Sequence, residues 1–145
     1  MVSSADLVFE PRQVQLVSGF VIDASGNRLT IKRAFANIAA STTDGTFTRE
    51  AGGGTLPATT GYRTRVLWVV VVAGATATNL TFNSKPTSSA GVAISPLLAN
   101  NSNGGEVLPP NHDGWFQTAS GEQLTVTTGA GATTGILIGY VEVPV

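Results

Sequence analysis

The sequence predicts an all-β protein, a single domain folded as an antiparallel β-sandwich of the jelly-roll type. Short runs rich in Val, Ile, Thr and aromatic residues recur along the 145-residue chain, and these residue types favour strands. Clusters of Gly, Asn, Asp and Pro separate the runs, as turns do. No internal repeat with a period of about 20–50 residues is present, which argues against a solenoid or propeller.

The N-terminal part reads as a hairpin. Residues 14–23 form a predicted strand, residues 24–27 a tight turn, and the chain from Arg28 a second strand, because Ser-Gly-Asn tolerates the positive φ of a short turn. Residues 28–40 also fit one face of a helix, but no helix cap precedes them, so we favour a strand. We divide the chain into residues 1–33, an N-terminal arm or hairpin that is either separate from the sandwich or part of the same domain, and residues 34–145, the β-sandwich.

Residues 41–61 are rich in Thr and Gly, and about 20 residues is long for a plain connection. We expect a functional loop, or an arm that orders on a partner, with a short strand around residues 46–49. Gly52, Gly53 and Gly54 read as flexible loop, because no phosphate-binding motif surrounds them.

Residues 62–73 form the predicted central strand. It begins with alternating polarity and becomes apolar throughout residues 66–73, as expected of a strand covered on both faces. This run is far shorter than the about 20 residues of a membrane helix. Further short strands are predicted at residues 79–82, 92–94, 106–108, 115–118, 123–128 and 135–143.

Composition excludes several kinds of chemistry. The chain has no cysteine, so disulfides, thiolate metal sites and cysteine nucleophiles are excluded. Charged residues make up 12% of the chain, against about 25% in an ordinary soluble domain. The formal net charge of −1 gives no field that attracts nucleic acid or an anionic membrane. We therefore expect neither of these as a partner, and no small-molecule substrate.

Catalytic candidates are few. His112 is the only histidine, and no further ligand lies at metal or triad spacing from His112 and Asp113. We interpret this pair as part of a turn in which Asp113 bonds the backbone and Gly114 takes a positive φ. Asp113 and Glu122 could act as the two carboxylates of a glycosidase, but so could any two acidic residues in the loops of a β protein, so the pair is not specific evidence. We predict no enzyme, no catalytic residue, no cofactor and no metal.

Aromatic residues offer a possible carbohydrate platform, since Tyr62, Trp68, Trp115 and Phe116 could stack on sugars. Trp68 lies inside the most apolar run, however, and Trp115 and Phe116 open a predicted strand. We therefore predict that these side chains belong to the core.

Several segments together resemble small virion proteins of tailed phages: ANIAAS (36–41), YRTRVL (62–67), LTFNS (80–84), LPP (108–110), DGWFQTASGEQL (113–124) and GYVEV (139–143). These segments look like parts of capsid decoration (cement) proteins with a jelly-roll-like sandwich. The resemblance covers about residues 34–145.

The resemblance implies a non-enzymatic coat component, usually a homotrimer, seated on the outside of the major capsid protein lattice. It implies synthesis in the host cytoplasm and a final location on the virion; no secretion signal is apparent. The candidate capsid or subunit contacts are Arg12, Arg28, Lys32, Arg33, Asp44, Arg49, Arg63 and Arg65. The alternative reading is a tail or head fibre module that binds a host receptor or surface glycan, and a cell-wall glycan hydrolase comes third.

Overall fold

The computed structural model describes residues 19–145, and this part of the chain contains thirteen strands and no α-helix. The strands are β1 (Phe20–Ile22), β2 (Arg28–Thr30), β3 (Lys32–Ile38), β4 (Gly45–Thr46), β5 (Thr48–Arg49), β6 (Tyr62–Val72), β7 (Thr78–Lys85), β8 (Val92–Ala93), β9 (Leu98–Asn100), β10 (Gly105–Leu108), β11 (Phe116–Gln117), β12 (Gln123–Thr128) and β13 (Thr134–Pro144).

Beside the small β1-β2 hairpin, the strands form two larger sheets. The six-stranded sheet has the order β10-β6-β13-β3-β5, with β11 also paired to β6. The five-stranded sheet has the order β4-β12-β7-β8, with β9 also paired to β7. Pairing is antiparallel and nested: β3 pairs with β13, β4 with β12, β6 with β10, and β7 with β8 and β9. A long hairpin folded over two sheets in this way is a jelly roll, so the predicted fold class is confirmed.

The main core lies between the two larger sheets. Its largest fully buried side chains include Phe47, Phe82, Leu124 and Tyr140. The Phe82 ring lies between Phe47, at a centroid distance of 6.0 Å, and Phe116, at 4.7 Å. Burial of this aromatic cluster, together with the aliphatic core residues around it, stabilises the packing of the two sheets.

The β1-β2 hairpin packs on the outer side of the six-stranded sheet. Val21 and Leu29 from the hairpin contact Leu67 and Val141 in a second, smaller apolar cluster. The strand interpretation of residues 28–40 is correct, with a break at Ile31 between β2 and β3. Residues 14–18 of the first predicted strand lie outside the described residues. The division of the chain at residue 33 stays a prediction.

Residues 41–61 differ from the expected loop or arm. β4 pairs with β12 in one sheet and β5 with β3 in the other, so the segment crosses from sheet to sheet. Phe47, between these strands, and Leu56 are both completely buried. The predicted short strand around residues 46–49 is present, divided into β4 and β5. The expectation of a loop or arm was wrong for residues 45–56, because Phe47 and Leu56 hold this Thr- and Gly-rich segment against the core.

Strand β6 is covered only in part. The register against β13 shifts where Gly139 pairs with Trp68 and Tyr140 with Val66, so Leu67 is bulged. Beyond the bulge, Val69 faces the core while Val72 is 60% exposed. The hairpin covers only the first half of the outer face, so the expectation that both faces are covered was wrong for the second half.

Among the later strands, β12 has the predicted bounds, and β7 is longer than predicted. Strand β9 was not predicted. Its three residues follow Pro96 and Leu97 without a clear alternating pattern, so the sequence gives little signal for it.

Candidate functional site

A charged cleft lies where β2 leads into β3. Its volume is about 460 Å³, and its lining includes Lys32, Arg33, Arg49, Glu50, Tyr140 and Glu142. The structure thus brings three of the predicted contact residues together: Lys32, Arg33 and Arg49. Their role as contacts stays a prediction.

Two ion pairs border the cleft. Lys32 pairs with Glu142, and Arg33 pairs with Glu50. Among residues 19–145, Arg49 forms no salt bridge. Tyr140 lines the cleft and is only 1% exposed. Burial raises the pKa of the Tyr140 phenol and Glu142 raises it further, whereas Arg49 acts in the opposite direction.

Backbone pairing fixes the position of Arg49. β5 pairs with β3 so that Arg49 lies opposite Ala34. The Arg49 N–H donates to the Gly54 carbonyl at 2.9 Å, and the Glu50 N–H donates to the Arg33 carbonyl at 3.0 Å. Residues 52–54 reverse the chain with φ values of 80°, 62° and 72°, a conformation that glycine adopts without strain. The glycines therefore form the turn that follows the cleft-lining residues Arg49, Glu50 and Ala51.

The other predicted basic contacts lie elsewhere. Arg28 stacks on the Phe20 ring at 3.8 Å from its centroid. Arg65 donates from Nε to Gln117 Oε1 at 3.1 Å. Arg63 lies two residues before it on β6, with its Nε buried and without a partner among the described residues. Arg12 lies outside the described part of the chain.

Asp44 is bonded within the five-stranded sheet. Its carboxylate accepts hydrogen bonds from the Gly91 N–H at 2.9 Å, Thr125 Oγ1 at 2.9 Å and Asn83 Nδ2 at 3.2 Å. Burial would raise the pKa of Asp44, but these hydrogen bonds outweigh it and hold the pKa below the ordinary value. Asp44 therefore ties the chain before β4 to β7, β12 and the loop before β8.

An apolar row crosses the outer face of the six-stranded sheet. The register places Val107 beside Val70, Val70 beside Leu137, and Leu137 beside Phe35. Val107 is 63% exposed, Phe35 42% and Leu137 37%, and Val70 is half-buried. We call these four residues, together with the neighbouring Val72, the apolar face. It carries no charged side chain.

The predicted turn around His112 is present, with one correction. Gly114 has a φ of 79°, as predicted. The side chain that bonds the backbone belongs to Asn111, which accepts from the Asp113 N–H and donates to the Gly114 carbonyl. Asp113 is exposed in this turn, whereas Glu122 accepts a hydrogen bond from Ser84 of the five-stranded sheet. The structure gives these two acids separate surroundings.

The prediction that aromatic side chains belong to the core is correct for Phe116 and Trp68 and wrong for Trp115. Phe116 packs against the main core, and Trp68 packs against the second cluster, over Gly139. Trp115 is 44% exposed and Tyr62 40% exposed. Trp115 precedes its strand, and its Nε1–H donates to the Pro109 carbonyl at 2.7 Å, which holds the ring in the turn rather than between the sheets.

Within residues 19–145, no three His, Asp or Glu side chains are placed to hold a metal ion. In the same part of the chain there is no helix of the length and apolar character that crossing a membrane requires.

Comparisons with known proteins found no matching family model and no matching curated protein. Several solved structures are similar. Bacillus endospore appendages, a family of disulfide-linked pili, match at 13% identity over 82% of this chain and 92% of theirs, with a TM-score of 0.40. Eiger TNF from S. frugiperda matches at 10% identity over 86% and 89%, with a TM-score of 0.42. Broad bean stain virus matches at 12% identity over 85% and 89%, with a TM-score of 0.33.

Proposed function

We propose that this protein is a structural component of a virus particle that decorates and stabilises the capsid as a homotrimer bound to the major capsid protein lattice. The observation that carries the proposal is the apolar face. Large apolar side chains that lie together on an outer surface mark a site of protein association. The proposed occupant of this face is a second copy of the same chain.

Several properties of the face favour a second copy. A surface without charges loses no ion hydration when it is buried, so identical surfaces can meet without unpaired ions. The face crosses four neighbouring strands, which spans roughly 14 Å at the usual strand spacing of about 4.8 Å. In a trimer with one threefold axis, each copy would cover part of the apolar face of its neighbour.

The scarcity of charge supports the capsid role. Contacts made by hydroxyls, amides and apolar groups lose little strength when salt screens ion pairs. Only 12% of the residues are charged, so a contact surface of this composition would hold over a wide range of ionic strength. Such contacts suit a protein that must remain attached to a particle outside the cell.

Oligomeric state tests the trimer. Native mass spectrometry and sedimentation of the purified chain should give three times the 14.8 kDa chain mass. Leu137→Lys should give monomers, because a lysine in the apolar face cannot be buried without a partner. The matched control is Thr81→Lys, on the outer side of the five-stranded sheet, which should remain trimeric. A wild-type monomer at high micromolar concentration would contradict the proposal.

Particle binding tests decoration. Capsids that lack the protein should bind the added trimer, co-sediment with it and become more resistant to heat. Leu137→Lys should bind more weakly, because each monomer offers the lattice one contact surface where a trimer offers three. Absence of co-sedimentation with capsids would contradict this part of the proposal.

The second candidate function, a fibre module that binds a surface glycan, is favoured by one observation. Trp115 is exposed and its ring is held in place by the hydrogen bond to the Pro109 carbonyl, as in aromatic platforms for sugars. Binding of cell-surface glycans to the isolated protein, lost in Trp115→Ala and retained in Tyr62→Ala, would support this function over capsid decoration.

A further inference from the structure

We propose that the charged cleft binds a carboxylate side chain of a partner protein, with Arg49 as the residue that holds it. The inference deepens the proposed function and rests on it for the identity of the partner. It assigns to the capsid segment that meets this cleft an exposed Asp or Glu.

The distribution of charge is the first argument. Residues 19–145 contain seven basic and seven acidic residues, and three of the basic ones and two of the acidic ones line this cleft. In a chain so poor in charge, this concentration is unusual. Lys32 and Arg33 neutralise Glu142 and Glu50, so one positive charge, that of Arg49, remains in excess.

The fixed position of Arg49 is the second argument. Its backbone is bonded to Gly54 and paired with β3. Its Nη2 lies 3.6 Å from the point that a Cβ on Gly54 would occupy, so the guanidinium lies against the glycine turn. Because the backbone of Arg49 is already held, binding has to order only its side chain, which limits the entropy lost.

The lining also selects the kind of anion. A guanidinium matches the two oxygens of a carboxylate with two parallel hydrogen bonds. One carboxylate balances the single excess charge. A phosphate dianion would leave an uncompensated negative charge close to Glu50 and Glu142, so the cleft favours a carboxylate.

Titration of the full-length, ¹⁵N-labelled protein with a short peptide tests this inference. The probe is acetyl-Gly-Glu-Gly-amide, and its matched control is acetyl-Gly-Gln-Gly-amide. The Glu peptide should cause saturable shifts of the Arg49 Nε–H signal and of the Glu50 and Gly54 amides. The Gln peptide should bind at least about tenfold more weakly, because it cannot form the charged hydrogen bonds.

Variants identify the residue responsible. Arg49→Gln should lose the shifts, and Arg49→Lys should retain weak binding, because it keeps the charge without the planar fork. Arg28→Gln is the control, since Arg28 stacks on Phe20 and does not line the cleft. If Arg49→Gln fails to fold, Arg49→Lys still tests the proposal. A folded Arg49→Lys that binds the Glu peptide more weakly shows the effect of losing the planar guanidinium alone.

Four results would overturn the proposal: equal binding of both peptides, no saturable shift, unchanged binding in a folded Arg49→Gln, or tighter binding of inorganic phosphate than of the Glu peptide. Binding that appears only after Asp6→Asn and Glu10→Gln would assign the cleft to acids of the same chain and also overturn it. None of these results depends on oligomeric state, so a trimer that ignores the peptide would leave the proposed function intact.

Discussion

The two larger sheets share one core but present different surfaces to the outside. On the six-stranded sheet the outward positions of β6 and β13 beyond the β6 bulge are apolar or glycine, as in Val70 and Leu137. On the five-stranded sheet the outward positions of β7 and β12 are polar, as in Asn79, Thr81 and Thr127. In both sheets, inward-facing and outward-facing side chains alternate along each strand, so this alternation identifies only the side that faces the core. The composition of the outward positions distinguishes the side that is solvated from the side that is proposed to meet a partner.

The six-stranded sheet is itself divided into a covered and an uncovered half. The β1-β2 hairpin buries Leu67 and Val141 on one half, while Val72 and Val107 on the other half remain exposed. The same kind of side chain is therefore covered by the chain itself at one end of the sheet and left uncovered at the other.

The largest expected effect is in the core that both sheets share. Phe82→Ala should lower the free energy of unfolding by about 3–5 kcal/mol, because it leaves a cavity between Phe47 and Phe116. Denaturant titration followed by circular dichroism measures the loss. A change below about 1 kcal/mol would mean that the two sheets do not depend on this cluster.

A smaller loss should distinguish the covered half from the uncovered half. Leu29→Ala in the hairpin should cost about 2 kcal/mol or more, since Leu29 is buried against the six-stranded sheet. Leu137→Ala on the uncovered half should change the unfolding free energy by only about 0.5 kcal/mol, measured at a protein concentration low enough to keep the chain monomeric. Equal costs would contradict the division of this sheet into two halves.

Asp44→Asn tests the polar face of the five-stranded sheet. It should cost about 1–3 kcal/mol at neutral pH, because it removes charged hydrogen bonds to the Gly91 N–H and Thr125. The pKa of Asp44 is lower in the folded chain, so its stabilisation is complete above the ordinary Asp pKa and is lost as the pH falls through the folded value. The melting temperature should therefore fall more steeply with acid in the wild type than in Asp44→Asn.

The smallest effect should come from the exposed ion pair of the cleft. Lys32→Gln should change stability by less than about 1 kcal/mol, because solvent and salt screen the pair with Glu142. Denaturant unfolding at low and at high salt measures this change in stability. A larger loss would indicate that this end of the sheet relies on the charges rather than on β3-β13 pairing.

The sequence was informative where turn residues separate strands and where burial is local. It located β12 and the hairpin turn at residues 24–27, and its prediction of a jelly roll is correct. It predicted one short strand around residues 46–49 but not its division into β4 and β5 on different sheets, because two-residue strands in a Thr- and Gly-rich segment carry no periodicity. Phe47 and Leu56 were the available signal, as isolated large apolar residues in an otherwise polar stretch.

The candidate site was predictable only as a set of residue types. Lys32, Arg33 and Arg49 were predicted as contacts, which stays a prediction. Their convergence depends on the pairing of β3 with β5, which brings together residues about 15 positions apart. The exposure of Val72 was not predictable, because an apolar strand has the same sequence whether its outer face is covered by its own chain or by another. The bonding of Asp44 to Thr125 joins residues 81 positions apart and leaves no local pattern.

Strand β13 follows the other described strands in sequence, yet it lies in the middle of the six-stranded sheet, between β6 and β3. Neither neighbour has this central partner until residues 134–144 have been synthesised. We therefore expect folding to be slow, as for other folds dominated by distant pairings. Nascent chains that stall before residue 134 would expose two unpaired strand edges, which makes them targets for chaperones.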